Sequence, residues 1–545
     1  MNHKETRTTL WTNTLMGGIV LLIASLALIT AMDRPLRDAQ TLTMVADEGT
    51  LLAATYIPGE LDAGVMLLEG FGSDQVALRS AAREFARAGF HVFTFDFSGH
   101  GRSSGTLGYD NAQTPRLAHQ ALEAMAVFQD LSGLSADRVL WLGHSLGARV
   151  ALQAAVLDPL PAGLVLIGAQ INLGTNLQSE FFTGVRDAEL DWVQRLDSDQ
   201  PPVPILLATG AWDDVLSPAA ADMLLEALGG EGSSPSRELV VFPSLLHNHE
   251  VVSPRVLSQS LIWAGERLDL TLPASDAAAS FRIYAWIAGY VGFMLALLAS
   301  GQLLSSLQET DHNDNHIALR SASRFLWGKA LLLVPGLLVG VLMGGLFFFL
   351  PIGLPTYNLL YVVILGGLGV LLLVLYRAGK VPGITGKLLP CRQGGGAISG
   401  ILQALLLTAG SLFITAWYAR TGWFHVYPLN ARLLWLPLFS IPTAVGFWVA
   451  LKEGALLRAQ PELGVGTDIT ARLIALIPFL LYAVALAAIG SPSGVVGVIQ
   501  GLLILAVVMA FGGLLRRVTR VDGVIAASQA LLLYWLILPQ AALFG

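Results

Sequence analysis

Two hydrophobic rhythms divide the chain. From about residue 40 to 270, short apolar runs alternate with amphipathic stretches. The runs at 65–68, 91–95, 139–142, 164–167, 205–208 and 239–242 have strand length. The stretches at 75–88, 115–131, 146–157, 218–228 and 254–268 have helical periodicity. Alternation of this kind predicts βαβ units and a doubly wound, mostly parallel sheet. Pro115, Pro218 and Pro254 each stand where the first turn of a helix tolerates a missing N–H. One segment, 170–200, breaks the rhythm. It carries Phe181, Phe182 and Trp192, and reads as a lid whose apolar residues face a bilayer.

The second rhythm is longer. Residues 281–545 consist mainly of apolar runs of spanning length. They read as an all-α bundle of eight transmembrane helices near 282–305, 326–350, 357–376, 398–418, 433–451, 472–490, 494–514 and 523–543. Near the start, residues 10–30 are almost uncharged and long enough to span as well. No clean small-x-small cleavage site follows, so this stretch reads as a retained anchor. Three domains are expected: an anchor at 1–32, an α/β domain at 33–275 and the bundle at 281–545.

Charge orients this layout. Basic residues cluster in the loops 306–325 (Arg320, Arg324), 377–397 (Arg377, Lys380, Lys387, Arg392), 452–472 (Lys452, Arg458, Arg472) and 515–522 (Arg516, Arg517, Arg520). The alternate loops at 351–356 and 491–493 have none, while 419–432 carries Arg420 and Arg432. The positive-inside rule puts the basic loops and the N-terminus in the cytoplasm and the α/β domain outside it.

Composition narrows the function. Only 13% of residues are charged. The net charge of -7 gives no reason to expect a nucleic-acid partner. The single cysteine, Cys391, excludes an intramolecular disulfide. No paired Cys/His spacing and no phosphate loop occurs, so neither a metal nor a cofactor is expected. The spans hold almost no ionisable residue at mid-depth, with Lys329 and Arg472 near their ends, which argues against ion-coupled transport. Pro335, Pro437, Pro442 and Pro478 are expected to kink helices, and the glycines of 366–369 to permit close helix packing.

The chemistry gathers at 139–147. There a buried strand runs into Gly143-His144-Ser145-Leu146-Gly147 and then into a helix. A Gly-x-Ser-x-Gly turn in that context exposes the serine hydroxyl at the top of a sheet. It also puts the Leu146 N–H at a helix N-terminus, where it can stabilise an oxyanion. A second turn, Asp96-Phe97-Ser98-Gly99-His100-Gly101-Arg102-Ser103, follows the strand at 91–95.

With these two motifs, the segment from about 42 to 270 resembles an α/β-hydrolase-fold domain of the serine esterase and lipase family. The resemblance implies a mainly structural role for the 96–103 turn, so His100 is not expected to be catalytic. It implies an oxyanion loop after the strand at 65–68, with Phe71 supplying the second backbone N–H. Here the chain departs from the family, having Glu69-Gly70 where His-Gly is usual. Glu69 must then point away from the oxyanion or be paired. The acid is expected after the strand at 205–208, where Asp213 matches the Gly-x-x-Asp spacing and Asp214 is the alternate. The base is expected after the last strand, as His247, with His249 the alternate.

The reading is a membrane-embedded serine hydrolase. Ser145, His247 and Asp213 form its triad, and an acyl ester of a lipid or lipid-linked molecule is its substrate. The layout is similar to the multi-span inositol deacylases that act on lipid anchors, a likeness that covers no motif beyond the serine elbow. Acyl transfer through the same triad is the second reading. A catalytically silent hydrolase fold serving as a receptor or assembly module is the third.

Overall fold

The protein was analysed as a computed structural model. It describes all residues except 1–2, 47–48, 109–112, 159–160, 170–202, 215, 274–277, 306–317, 346–349, 351, 354–358, 387–396, 421–430, 459–463 and 545. The expected lid at 170–200 and Cys391 therefore lie outside the described residues.

Eight strands form the central sheet: β1 (Gln40–Val45), β2 (Leu51–Ile57), β3 (Gly64–Leu68), β4 (His91–Phe95), β5 (Val139–His144), β6 (Gly163–Ile167), β7 (Ile205–Gly210) and β8 (Arg237–Phe242). Their order is β1-β2-β4-β3-β5-β6-β7-β8. β1 and β2 are antiparallel to their neighbours and the remaining pairs are parallel. The strands β3, β5, β6 and β7 are buried along their whole length, as expected for a sheet covered on both faces. The six predicted strands are all present. β1 and β2 are additional. β1 is largely exposed at the sheet edge, so it lacks the apolar run that marks a central strand.

Helices α3 (Gln113–Ser132), α4 (Leu146–Leu157) and α5 (Pro218–Ala227) enclose a core with Phe93, Trp141 and Leu166. On the opposite face, α2 (Arg79–Arg87) and α6 (Pro254–Leu268) pack with Val65, Leu142 and Ile167. Alternate residues of each strand thus feed two separate cores.

Nine helices among the described residues are long and apolar enough to cross a membrane. The first, α1 (His3–Met32), lies antiparallel against α7 (Ala278–Ser305): Gly18 abuts Gly292 and Ala296, and the Ser25 hydroxyl donates to the Ala285 carbonyl. In sequence, the eight-stranded sheet lies between these two helices. A buried ion cluster closes the junction. Asp33 pairs with Arg282 of α7 at 2.8 Å and with Arg79 of α2 at 2.8 Å. Burial by itself would raise the Asp33 pKa, but the two guanidiniums outweigh it and hold the carboxyl below its ordinary range. This contribution is present above the unfolded pKa and is lost as pH falls through the folded one. Asp33→Asn leaves two arginines facing a neutral partner. It is expected to destabilise the protein by about 2–4 kcal/mol, read as a lower Tm at pH 7 that converges toward wild type below pH 4.

Within the bundle the 366–369 glycines sit in helix contacts, with Gly369 directly against the Gly446 backbone. Several of the expected spans differ from the observed helices, among them 472–490, which begins at Gly464. The 326–350 span is broken into Ala322–Leu331 and Leu333–Gly345, just before Pro335. The 433–451 span extends to Arg458 and carries Pro437 and Pro442 inside it. That extension brings Glu453 into a helix, where it is buried and paired with Lys329 and accepts the Tyr376 hydroxyl at 3.1 Å. Charge near the spans is thus compensated, at the end of the bundle away from the sheet.

Candidate active site

The carboxyl ends of neighbouring strands define the site. β3 ends at Glu69–Gly72, β5 at Ser145, β6 at Gly168, β7 at Asp213 and β8 at His247, and all five strands are adjacent in the sheet.

Ser145 joins β5 to α4 with φ 54 and ψ -114, outside the comfortable range for a residue with a Cβ. Packing enforces this turn. A Cβ on Gly147 would collide with the carbonyls of Leu68 and Glu69, and one on Gly143 with Gly147 itself. Only glycine lets α4 approach β3 and β5 so closely. Leu146 begins α4, where an N–H has no acceptor within the helix. Gly70 sits against Ser145, a Cβ built on it lying 3.3 Å from the serine Cβ.

His247 and Asp213 are brought together. The His247 Nδ1 lies 2.9 Å from Asp213 Oδ2, and both side chains are buried. The other carboxylate oxygen of Asp213 accepts the Leu216 N–H at 2.9 Å. The alternates lie elsewhere. Asp214 faces the membrane bundle, accepting the Ser491 hydroxyl at 2.7 Å. His249 is half-buried on the turn beyond His247.

Two neighbours were not singled out in the sequence. The His144 ring packs tilted against the His247 ring, centroids 4.7 Å apart, with its Nε2 3.2 Å from the His247 carbonyl. Burial, with His247 beside it, pushes the His144 pKa down to about 3, so the ring is neutral. Glu250 is fully buried, accepts the Gly210 N–H and lies against Gly168. Burial first, and then the Asp213 carboxylate, hold its pKa well above the usual carboxyl range. Both residues are within three positions of a predicted site residue. Their signal was that proximity, which a motif does not record. His144, His247 and Glu250 bring potential metal-ligand atoms within 4.8 Å of one another. Each of the three side chains also makes a hydrogen bond within the site, His247 to Asp213, His144 to the His247 carbonyl and Glu250 to the Gly210 N–H.

Glu69 resolves the departure noted above. Its Oε1 accepts the Phe97 N–H and lies 2.9 Å from His100 Nδ1, both at 2.9 Å, so the carboxyl is committed to the 96–103 turn.

Residues 59–196 match the family model described as serine aminopeptidase, S33. The domain built on this sheet has the α/β-hydrolase fold. Over 225 residues the chain is 28% identical to an uncharacterized protein of Mycobacterium tuberculosis, covering 39% of this chain and 74% of that one. Over 107 residues it is 35% identical to the pimeloyl-(acyl-carrier protein) methyl ester esterase of Edwardsiella ictaluri, covering 19% and 36%. Among solved structures, an esterase of Pyrococcus furiosus aligns over 42% of this chain and 92% of its own at 18% identity, with a TM-score of 0.34. This α/β-hydrolase-fold domain is joined to a helical region with several spans long and apolar enough to cross a membrane.

Glu250 carries a test of its own. Glu250→Gln preserves the shape of the protonated acid and is expected to keep hydrolysis within about threefold, whereas Glu250→Ala opens a polar void beside Asp213 and is expected to lower it at least tenfold. A raised carboxyl stabilises the fold below its unfolded pKa of 4.5 and loses that contribution as pH rises. The Tm of wild type relative to Glu250→Gln should therefore fall as pH rises above 4.5. A pH-independent difference would show that Glu250 is not held protonated.

Proposed function

We propose that the protein is a membrane-embedded serine hydrolase cleaving acyl esters of lipids or lipid-linked molecules. Ser145 attacks the ester carbonyl. His247 takes the serine proton and returns it to the leaving alcohol. Asp213 holds the His247 tautomer that leaves Nε2 free, and stabilises the imidazolium. The N–H groups of Phe71 and Leu146 hold the oxyanion. Water then removes the acyl group through the same base.

One observation carries the lipid assignment. The catalytic edge of the sheet is turned toward one end of the helical bundle. Asp214 bonds Ser491 at the start of Pro492–Leu515, and Phe71 packs on Phe544, beyond the last span. Gly353, between two spans, lies against Phe544 and Phe71. A site that faces the bundle suits a membrane-borne ester, and a soluble substrate needs no such placement. The described basic residues Arg320, Arg377, Lys380 and Arg516 lie at the helix ends opposite these contacts, where 318–319 pairs with 384–385, which supports an extracytoplasmic hydrolase domain and a cytoplasmic N-terminus.

The test uses full-length protein in lipid nanodiscs. A fluorophosphonate probe should label wild type and fail on Ser145→Ala. Lipids of membranes carrying wild type should lose one class of acyl ester relative to those carrying Ser145→Ala. Labelling without any change in lipid species would overturn the substrate class, and the absence of labelling in folded protein would overturn the serine mechanism.

A further inference from the structure

The bundle reaches into the hydrolase at one point with a buried charge. Arg432 begins the helix Arg432–Arg458 and is 1% exposed. Its guanidinium donates to three backbone carbonyls: Nη2 to Gly99 at 2.7 Å, Nη1 to Gly101 at 3.3 Å and Nε to Ala541 at 2.6 Å. Two belong to the 96–103 turn of the hydrolase and the third to the segment after the last span. That segment adds its own bonds, Leu543 N–H to the Gly99 carbonyl at 3.0 Å and Leu107 N–H to the Leu543 carbonyl at 2.7 Å.

The turn held in this way leads to the loop that carries the Phe71 N–H. From its inner side, Asp96 accepts the N–H groups of Gln75 and Arg102. At its tip, His100 lies between Glu69 and Gly72, with Nδ1 2.9 Å from Glu69 Oε1 and Nε2 accepting the Gly72 N–H at 3.3 Å. These two residues flank Gly70 and Phe71. The Phe71 ring packs against His100 on one side and Phe544 on another, each at 6.0 Å. The loop is thus gripped at Glu69, Phe71 and Gly72 by groups that Arg432 and the 541–544 segment hold in place.

Electrostatics point the same way. Asp74 and Asp96 are buried and interact with the Arg432 charge, while burial, with Asp96 and Asp74 beside it, holds the Glu69 pKa well above the usual carboxyl range. An arginine buried this deeply is stable only where its charge and donors are met, and these carboxyls and carbonyls meet them. Neither Glu69 nor His100 touches the reacting atoms.

We propose that Arg432 is a positioning residue for the oxyanion loop, so that the membrane bundle completes the hydrolase site. The proposal rests on the serine-hydrolase reading above for its catalytic consequence and on the hydrogen-bond chain alone for its structural one.

The experiment uses the full chain in nanodiscs, with a soluble short-chain p-nitrophenyl ester to remove any effect on lipid access. Loss of an oxyanion donor lowers kcat on the order of 10²–10³-fold, and partial displacement of one should cost less. Arg432→Met is expected to lower kcat about 10- to 100-fold with KM within about threefold. Arg432→Lys keeps the charge but not the fork, and should recover part of the loss. Amide exchange at 69–73 and 99–107 should accelerate at least tenfold in Arg432→Met while exchange in β5 and β6 stays as in wild type. Phe544→Ala supplies the same two readouts should Arg432→Met fail to fold. Unchanged exchange at 69–73 in a folded variant, or accelerated exchange with unchanged kcat, overturns the proposal. Wild type inert to both ester and fluorophosphonate overturns the hydrolase reading instead, and the exchange result still decides whether Arg432 holds the loop.

Discussion

Replacing Ser145 with alanine is expected to lower ester hydrolysis by the full-length protein on the order of 10⁵–10⁶-fold, the scale seen when the nucleophile of a triad is removed. The remaining rate over water would come from the oxyanion donors and substrate binding. Thermal stability should be nearly unchanged, because alanine keeps the Cβ and therefore the strain of φ 54 at this position. Glycine separates the two properties. Ser145→Gly relieves a backbone strain of roughly 1–3 kcal/mol, so it should be equally inactive yet melt higher than wild type. A variant series in which activity survives Ser145→Ala would exclude this serine as the nucleophile. A glycine variant no more stable than alanine would show that the turn is not strained.

The second large effect is expected at Asp213. Asp213→Asn keeps the shape but offers His247 an amide that can favour the wrong tautomer, a change that costs about 10⁴-fold in kcat in a Ser-His-Asp triad. Asp214→Asn is the informative control. Its carboxylate accepts from Ser491 and is directed at the bundle, not at His247. Its effect on a soluble ester should stay within about threefold. Steady-state kcat for the two variants decides the matter: equal losses would mean that the 2.9 Å pair of Asp213 and His247 does not carry the chemistry.

Legibility in the sequence followed the range of the interactions. The central strands were legible because each is buried on both faces and so reads as an unbroken apolar run. β1 was not, because an exposed edge strand has no such constraint. Ser145, Asp213 and His247 were read as the site residues from local spacing at strand ends, with Asp214 and His249 as alternates, and an offset of one or two residues turns a side chain toward a different neighbour. Arg432 was counted only as a loop charge. Its partners Gly99 and Gly101 lie more than 300 positions away, and carbonyl oxygens carry no residue-specific signature. Glu453 was placed outside a span because helix 432–458 runs past the apolar stretch, a continuation made tolerable by Lys329.

The position of the 541–544 segment also imposes a timetable. The chain is made from its amino end, so the residues of the 69–107 region emerge more than 400 positions before Ala541 and Phe544. At 5–20 residues per second that interval is roughly 20–90 s. During it the eight-stranded sheet can form while the last helices are still being threaded into the bilayer. The segment that contacts Gly99, Leu107 and Phe71 arrives only after the final span has been made. A domain arranged in this order would reach its full activity only after these late contacts had formed.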